Sequence, residues 1–207
     1  MKNLLTALIL LTVSVFSLNF TLDKKDSMKS IDNLKAAITG ETTASAKYAA
    51  YAEKARKEGY KNVALLFEAA SKSESIHAGN HRAALSQLGE TMGEVKPEFT
   101  VKSTKENLQD AINGESYEVA TMYPEFIKTA NDGKVNIALI SFNYAYQTEK
   151  KHKEFYKEAL DKLNNGKENT LASVYYVCST CGNTYENTAP ERCGISMTPS
   201  ERFYKIN

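Results

Sequence analysis

The sequence predicts an all-α four-helix bundle followed by a small metal-binding β domain at the C-terminus. An internal repeat supports the bundle, because the sequence of Asn33–Glu41 is similar to that of Asn107–Glu115. Each half of this repeat holds two long stretches of helical periodicity, so the repeat is a duplicated helical hairpin. The composition then changes after Gly166 to a short apolar strand followed by cysteines. Two hairpins with apolar faces bury them best against each other, which predicts one bundle and one appended domain.

The overall composition fits a soluble protein with one main core. The chain has 207 residues, of which 42% are hydrophobic and 25% are charged, and its formal net charge is +1. That length is sufficient for one bundle and a small appendage. Because no basic block stands out, we expect no nucleic-acid partner.

Residues 1–20 differ from the rest of the chain and predict a signal peptide. Lys2 precedes an apolar run from Leu4 to Phe16, and Val15-Phe16-Ser17 places small residues around a possible cleavage point. This pattern is typical of secretion and predicts an exported, periplasmic protein. The alternative is an uncleaved N-terminal anchor, which would be the chain's only membrane contact. No cysteine lies near the cleavage point, which excludes lipid attachment there.

The apolar periodicity predicts four long helices. Gly59 ends the first helix, while Gly89, Gly93 and Pro97 mark a long crossover between the hairpins. A capping box at Ser103–Glu106 starts the third helix. Pro124 should kink that helix one turn past its pair of carboxylates. The predicted helices span residues 28–58, 61–88, 103–133 and 135–163, within a bundle domain of residues 28–165.

Two Glu-x-x-His turns are the main functional signal. Glu74 and His77 lie in the second helix, and Glu149 and His152 occupy the matching place in the fourth. Residues three apart share a helix face, so each pair can direct a carboxylate oxygen and an imidazole nitrogen at one position. A single copy is more often a solvated helix face, but two copies in matching places favour a site. His81, one turn later, is expected to support the site or to lie on the surface.

The other two helices contribute carboxylates at matching places. Each half has a Gly-Glu pair in its first helix, which supplies Glu41 and Glu115, and the second half adds Glu118. One Glu from each of two helices plus Glu-x-x-His from the other two is the pattern of ferritin-like di-iron and di-manganese bundles. Carboxylates gathered in an apolar core repel one another unless cations neutralise them, and oxygen ligands with imidazole suit iron or manganese.

The C-terminal segment contains three of the four cysteines of a metal site built from two Cys-x-x-Cys pairs. After a short polar linker at 166–173, residues 174–207 contain Cys178-x-x-Cys181, a knuckle that grips one metal with two thiolates. Cys193 begins a second knuckle, but Ser196 stands where the fourth thiolate belongs. Three outcomes are open: an iron held by three thiolates and an oxygen, a structural zinc, or no metal and a Cys178–Cys181 disulfide.

These motifs together resemble rubrerythrin, a ferritin-like di-iron bundle followed by a rubredoxin-like domain. The resemblance covers about residues 28–207. It depends on Gly40-Glu41, Glu74-x-x-His77, Gly114-Glu115-x-x-Glu118, Met122-Tyr123-Pro124-Glu125-Phe126, Glu149-x-x-His152 and Cys178-x-x-Cys181. Pro199 and Phe203 also stand at the family's places, so Ser196 is a true departure from the family's four cysteines.

The resemblance implies a role for each ligand of two iron ions. Glu74 and Glu149 would bridge the metals, Glu41 would bind one of them, and Glu115 with His152 would bind the other. The first iron of the family exchanges a carboxylate for a histidine on reduction. The resemblance implies that Glu118 and His77 are the residues that exchange. It also implies that Tyr48 and Tyr123 donate hydrogen bonds to the ligand carboxylates.

The implied chemistry is reduction of hydrogen peroxide to water in oxidative stress defence. An external electron donor would supply electrons through the rubredoxin-like tail, which in the family reaches the partner subunit of a head-to-tail homodimer. The alternatives are a ferroxidase or iron-binding protein with the same fold, and a non-enzymatic metal-binding electron-transfer module. The residues leave iron and manganese both open for the bundle site.

Overall fold

A computed structural model describes the backbone of residues 2–207 and the side chains of residues 25–207. The signal peptide predicted for residues 1–20 lies outside the residues with described side chains, and it stays a prediction. Within the described part of the chain, no helix combines the length and apolar character needed to cross a membrane.

The predicted fold class is confirmed: long helices form a ferritin-like bundle, and a small antiparallel sheet follows it. The first helix begins earlier than the periodicity predicted, and the third is divided by a π-helical segment. The helical elements are α1 (Lys2–Lys57), α2 (Lys61–Gln87), α3 (Thr104–Tyr117), the π-helical segment (Glu118–Met122), α4 (Tyr123–Asp132) and α5 (Asn136–Asn164).

The connections follow the predicted turn chemistry. Gly59 has φ of +91° between α1 and α2, a left-handed conformation that glycine adopts without strain. At the start of α3, Ser103 and Glu106 form the predicted capping box. The Glu58 carboxylate at the end of α1 accepts a hydrogen bond of 2.9 Å from the Thr104 backbone N–H. The turn between the two helices of the first hairpin is therefore hydrogen-bonded to the start of the second hairpin.

The irregularity in the third helix begins earlier than predicted. We expected Pro124 to kink the helix one turn past Glu115 and Glu118. Instead, Glu118 is itself the first residue of the π-helical segment, and Pro124 stands in the first turn of α4. Proline provides no N–H and its ring clashes with the preceding turn, and a π turn accommodates that by widening the helix. The irregular backbone therefore includes a predicted ligand.

The bundle core consists of two apolar clusters separated by a polar layer. One cluster contains Tyr48, Phe67 and Tyr156, with the Tyr156 ring centroid 5.4 Å from each of the other two. The other contains Leu34 and Phe142. On α1, α2 and α5, the buried glutamates and histidines fall between residues of the two clusters. Apolar packing above and below thus holds the polar layer away from water.

The tail, residues 174–207, contains the strands β1 (Tyr175–Cys178), β2 (Thr184–Glu186) and β3 (Phe203–Ile206). They form an antiparallel sheet in the order β2-β1-β3. The central strand pairs with both neighbours, and Tyr176 lies opposite Tyr185 on one side and Lys205 on the other. Tyr175 and Val177, on the inward face of the central strand, join the first apolar cluster of the bundle.

Substituting Glu58 tests the link between the hairpins. Hydrogen bonds from Thr104 and Lys54 lower the pKa of Glu58 to about 2. A folded-state pKa below the unfolded value stabilises the protein above about pH 4.5, and this contribution is lost as the pH falls towards 2. In metal-free protein, we expect Glu58→Gln to lower the free energy of unfolding by about 0.5–1 kcal/mol at pH 7.

The measurement is urea denaturation of wild type and variant between pH 7 and pH 3. The difference between them should shrink as the pH falls. The control is Glu53→Gln, which changes an exposed carboxylate on the same helix. A difference that stays constant with pH would contradict the role of the Glu58 charge.

Candidate metal centre

Six of the predicted ligands meet in the polar layer between the apolar clusters. They come from four different helices, and each is at most 2% exposed to solvent. Such burial of four carboxylates would be very costly unless positive charge accompanied them. The six are Glu41, Glu74, His77, Glu115, Glu149 and His152.

The six residues form two groups that share two members. Glu74 and Glu149 belong to both groups, and in each group one donor atom per residue lies within 4.8 Å of the others. Glu41 and His77 complete the first group, and Glu115 and His152 complete the second. This arrangement is suited to two metal ions with two carboxylates between them.

The distances show how the shared carboxylates divide their oxygens. His77 Nδ1 lies 2.9 Å from Glu74 Oε2 and 2.7 Å from Glu149 Oε1. His152 Nδ1 lies 3.1 Å from Glu74 Oε1 and 2.9 Å from Glu149 Oε2. Each shared carboxylate therefore presents one oxygen to each histidine, as a ligand bridging two positions would.

The donor atoms also lack the partners that buried polar atoms require. The short contacts between the imidazoles and the shared carboxylates do not have hydrogen-bond geometry. Leaving such atoms unsatisfied costs roughly 1–3 kcal/mol each, so a cation at each position fits them. The unpartnered atoms include both oxygens of Glu74 and Glu149, Oε2 of Glu41 and Glu115, and Nδ1 of His77 and His152.

The pKa values of two of the four carboxylates reflect this crowding of negative charge, whereas, against the effect of burial, neighbouring histidines lower the pKa of Glu41 and of Glu149. Burial, and then repulsion from Glu149, raises the pKa of Glu74. The same two causes, in that order, raise the pKa of Glu115 well above its usual value. Metal cations would remove this penalty by favouring the ionised form of both groups.

The tail orients the rings of the two candidate ligand histidines. His77 Nε2 lies 3.0 Å from the Cys181 carbonyl oxygen, which can only accept, so this nitrogen donates. His152 Nε2 lies 2.9 Å from Thr184 Oγ1, whose own proton goes to the Gly182 carbonyl oxygen. Both Nε2 atoms therefore hold the ring proton, which leaves both Nδ1 lone pairs for the candidate metal positions.

The tail approaches the bundle so closely that one position must be glycine. Gly182 has φ of +77°, and a Cβ placed there would lie 2.5 Å from His77 Nε2. The Gly182 carbonyl oxygen also accepts a hydrogen bond of 2.8 Å from Ser73 Oγ. Sequence reasoning missed these contacts, although a glycine directly after Cys181 was an available signal.

The two predicted tyrosines donate hydrogen bonds to outer carboxylates. Tyr48 Oη donates to Glu115 Oε1 over 2.8 Å. Tyr123 Oη donates to Glu41 Oε1 in a short contact. These bonds leave the second oxygen of Glu115 and of Glu41 directed to the site, in keeping with the roles that the resemblance implies.

His81 is buried and supports the site, which excludes the surface alternative. Its Nε2 lies 3.1 Å from Tyr123 Oη, and its Nδ1 lies 2.7 Å from Ser141 Oγ. Because Tyr123 donates to Glu41, its oxygen must accept from His81 Nε2, and Nδ1 must then accept from Ser141. The result is a continuous hydrogen-bond chain from Ser141 to a candidate ligand. Ser141 was not identified from sequence.

Glu118 belongs to neither group of four donors. It is half-buried, and burial together with the charge of Glu41 raises its pKa well above the usual value. His77 occupies the fourth place of the first group instead. Of the two residues that the resemblance implies can exchange, the histidine is the one positioned here.

The tail brings its three cysteines together. All three are free and buried, and Cys181 Sγ lies 3.4 Å from Cys193 Sγ. Cys178 Sγ lies 3.3 Å from Ser196 Oγ. The cysteines form a second candidate metal cluster beside the first, and the Cys178–Cys181 disulfide considered from sequence is not formed.

Comparison with known proteins agrees with this geometry. The family model described as Rubrerythrin matches residues 32–160. The chain is 35% identical over 189 residues to nigerythrin from Nitratidesulfovibrio vulgaris, covering 89% of this chain and 91% of that protein. It is 34% identical to rubrerythrin-2 from Clostridium acetobutylicum, covering 83% and 94% of the two chains.

Solved structures show the same similarity. The fully reduced, all-ferrous state of nigerythrin has a TM-score of 0.77 and 33% identity, covering 85% of this chain and 86% of that one. A bacterioferritin from Rhodobacter capsulatus has a TM-score of 0.61 at 20% identity, which indicates a shared fold alone.

Replacing a shared carboxylate should remove both metal ions together. We expect Glu74→Ala to lose most of the bundle metal, because Glu74 belongs to both groups of donors. Metal content by atomic emission measures this directly. Saturating metal should raise the melting temperature of wild type by roughly 5–10 °C over chelated protein, and should have no such effect on the variant.

The control for this prediction is Glu125→Ala, which removes an exposed carboxylate from α4. It should keep wild-type metal content and melting behaviour. Full metal content in Glu74→Ala would refute the bridging arrangement.

Proposed function

The chain belongs to the rubrerythrin family, and from that premise we propose that it is a di-iron peroxidase that reduces hydrogen peroxide to water in oxidative stress defence. Rubrerythrins are oxidoreductases, which supports the reaction class at the level of the family. The main support within this chain is the pair of buried carboxylates, Glu74 and Glu149, each with one oxygen toward each histidine.

The proposed ligand assignment follows the two groups of donors. Glu74 and Glu149, which belong to both groups, would hold both irons, Glu41 and His77 would hold the first, and Glu115 and His152 would hold the second. The family resemblance implies that Glu118 would be the alternative to His77 as a ligand of the first iron in the other oxidation state. Two bound ferrous ions would supply the two electrons that break the peroxide O–O bond.

Reduction of one hydrogen peroxide to two waters also consumes two protons, which must enter a buried site. The chain from Ser141 through His81 and Tyr123 to Glu41 provides a route for them. Every hydrogen in this chain points towards Glu41, and Ser141 at its outer end is 5% exposed. When Ser141 takes up a proton, each hydrogen in the chain can shift by one position, so that a proton is delivered at Glu41 Oε1.

Electrons are proposed to enter through the tail. The Cys181 carbonyl oxygen accepts the hydrogen bond from His77 Nε2, so a cysteine of one cluster contacts a ligand of the other. The resemblance implies that this contact crosses the subunits of a homodimer. Here a single chain makes it, and the proposed route from an external donor through Cys181 to His77 does not require a second subunit.

The predicted location is retained as part of the proposal. Residues 1–20 carry the pattern of a secretory signal peptide, so the protein would act on peroxide outside the cytoplasm. The N-terminal sequence of the protein purified from the periplasm would test this directly.

Peroxide turnover is the experiment that tests the proposed activity. Anaerobically reduced protein should oxidise both bundle irons with one equivalent of hydrogen peroxide, and should turn over repeatedly with a chemical reductant. Peroxide loss and the iron spectrum are recorded together. Stoichiometric oxidation of added Fe(II) without peroxide turnover would instead indicate a ferroxidase, and metal without either reaction would indicate an electron-transfer module.

Enlarging Gly182 should interrupt the electron route. Gly182→Ala adds a methyl group that would lie 2.5 Å from His77 Nε2 and is strained at a positive φ, so the tail must move. We expect reduction of the bundle irons through the tail to slow at least tenfold. Peroxide oxidation of chemically reduced protein should change much less.

Stopped-flow spectroscopy separates these two half-reactions. The control is Gly194→Ala in the same tail, where the nearest atom to a new Cβ is Tyr185 Oη at 3.7 Å. Equal rates of tail-dependent reduction in wild type and Gly182→Ala would refute the route through His77.

A further inference from the structure

We propose that the tail holds one iron ion with a mixed set of ligands, three cysteine thiolates and the hydroxyl oxygen of Ser196. The proposal concerns a different metal position from the di-iron centre. It does not depend on peroxide activity, and a failure of either proposal would be visible separately.

The three cysteine sulfurs lie within 4.8 Å of one another, and two close pairs among the four donor atoms fit a single tetrahedral site. The Cys178 Sγ–Ser196 Oγ distance is 3.3 Å and the Cys181 Sγ–Cys193 Sγ distance is 3.4 Å. A tetrahedral ion with metal–sulfur bonds of about 2.3 Å separates its sulfurs by about 3.8 Å. The serine oxygen therefore lies at ligand distance from the cluster, at the position of the fourth thiolate in the four-cysteine pattern.

The hydrogen bonds of Ser196 direct its lone pairs towards the cysteines. Thr198 Oγ1 donates its proton to Thr180 Oγ1 over 2.8 Å. The 2.8 Å bond between Ser196 and Thr198 must then use the proton of Ser196. Because that proton points away from the cluster, an unshared pair of the serine oxygen faces Cys178 and is available to a metal.

The loop that presents Ser196 is closed by the backbone. The Cys193 N–H donates to the Thr198 carbonyl oxygen over 2.8 Å, and the Met197 N–H donates to the Cys193 carbonyl oxygen over 3.0 Å. Met197 also takes a φ of +58°, an uncommon conformation for this residue type. The turn therefore fixes the backbone of Ser196 beside the cysteines.

The surroundings of the cluster favour thiolates. Cys193 Sγ accepts contacts from Ile195 N and Asn183 Nδ2 at 3.5 Å each, and from Tyr185 Oη at 3.6 Å. All three cysteines are fully buried, so several donors around one sulfur stabilise negative charge that water does not reach. Metal binding would in turn keep the thiols deprotonated.

The position of the cluster favours a redox metal. The Cys181 carbonyl oxygen contacts His77, a candidate ligand of the di-iron centre, so an ion here is well placed to exchange electrons. A serine oxygen is a harder donor than a thiolate and favours the ferric form. We therefore expect this iron to have a lower reduction potential than the same site with four cysteines, since ligand identity is a main determinant of potential.

The test is an optical and chelation comparison on the full chain loaded anaerobically with iron. The chain has only three cysteines, all in the tail, so any thiolate-to-iron absorption reports this site. Wild type should bind one iron here beyond the bundle iron. Ser196→Ala should lose tail iron to a chelator at least tenfold faster and shift the absorption. Ser196→Cys should bind iron with a new thiolate band and a higher potential.

The matched control is Ser179→Ala in the other cysteine knuckle. Ser179 is a serine between Cys178 and Cys181 whose buried Oγ has no hydrogen-bond partner. This variant should keep the wild-type absorption and chelation rate. Bundle iron, counted by total iron minus tail iron, should stay unchanged in all the variants and so reports that each has folded.

A labelled-water experiment separates serine oxygen from solvent oxygen. The ferric electron paramagnetic resonance signal of wild type should not broaden in ¹⁷O-enriched water, because its oxygen ligand belongs to the protein. In Ser196→Ala, water should replace the serine oxygen as the fourth ligand, so the signal of this variant should broaden in ¹⁷O-enriched water. Three outcomes would overturn the proposal: broadening in wild type, identical absorption and chelation in wild type and Ser196→Ala, or iron in Ser196→Cys but none in the wild-type tail.

Discussion

Burial of four carboxylates at one level of a helical bundle is the constraint on which the rest of this structure depends. Glu41, Glu74, Glu115 and Glu149 cannot all remain ionised in an apolar core without cations beside them. Two metal ions satisfy the charge, the unpartnered oxygens and the two free imidazole lone pairs at once. The apolar clusters above and below supply the folding free energy that makes such a polar layer tolerable.

The two ligand histidines connect this layer to the tail. Each ring uses Nδ1 for the candidate metal position and Nε2 for a hydrogen bond to the tail, at the Cys181 carbonyl oxygen or at Thr184 Oγ1. The tail thereby sets the tautomer of both ligands as well as bringing a second metal cluster close. One set of hydrogen bonds thus serves ligand orientation and the proposed electron route together.

The fold and the donor residues could be predicted because they depend on local pattern. A helix places residues three apart on one face, so the two Glu-x-x-His turns and the repeated Gly-Glu pairs already indicate convergence. The chain Ser141–His81–Tyr123–Glu41 could not be predicted, because its members lie on different helices at unrelated spacings. The π-helical start at Glu118 was also missed, since proline indicates a distortion but not where the helix absorbs it.

The sequence by itself determined the helical duplication, the family resemblance, the set of buried donors and the missing fourth cysteine. These follow from residue identity and short-range periodicity, which do not require knowledge of long-range packing. Only the tertiary structure decided that His77 and not Glu118 completes the first group of donors, that the tail docks on its own bundle at Gly182, and that the Ser196 oxygen faces the cysteines. Each of these depends on distances between segments far apart in the chain, where a shift of about 1 Å separates a ligand or hydrogen-bond partner from a mere neighbour.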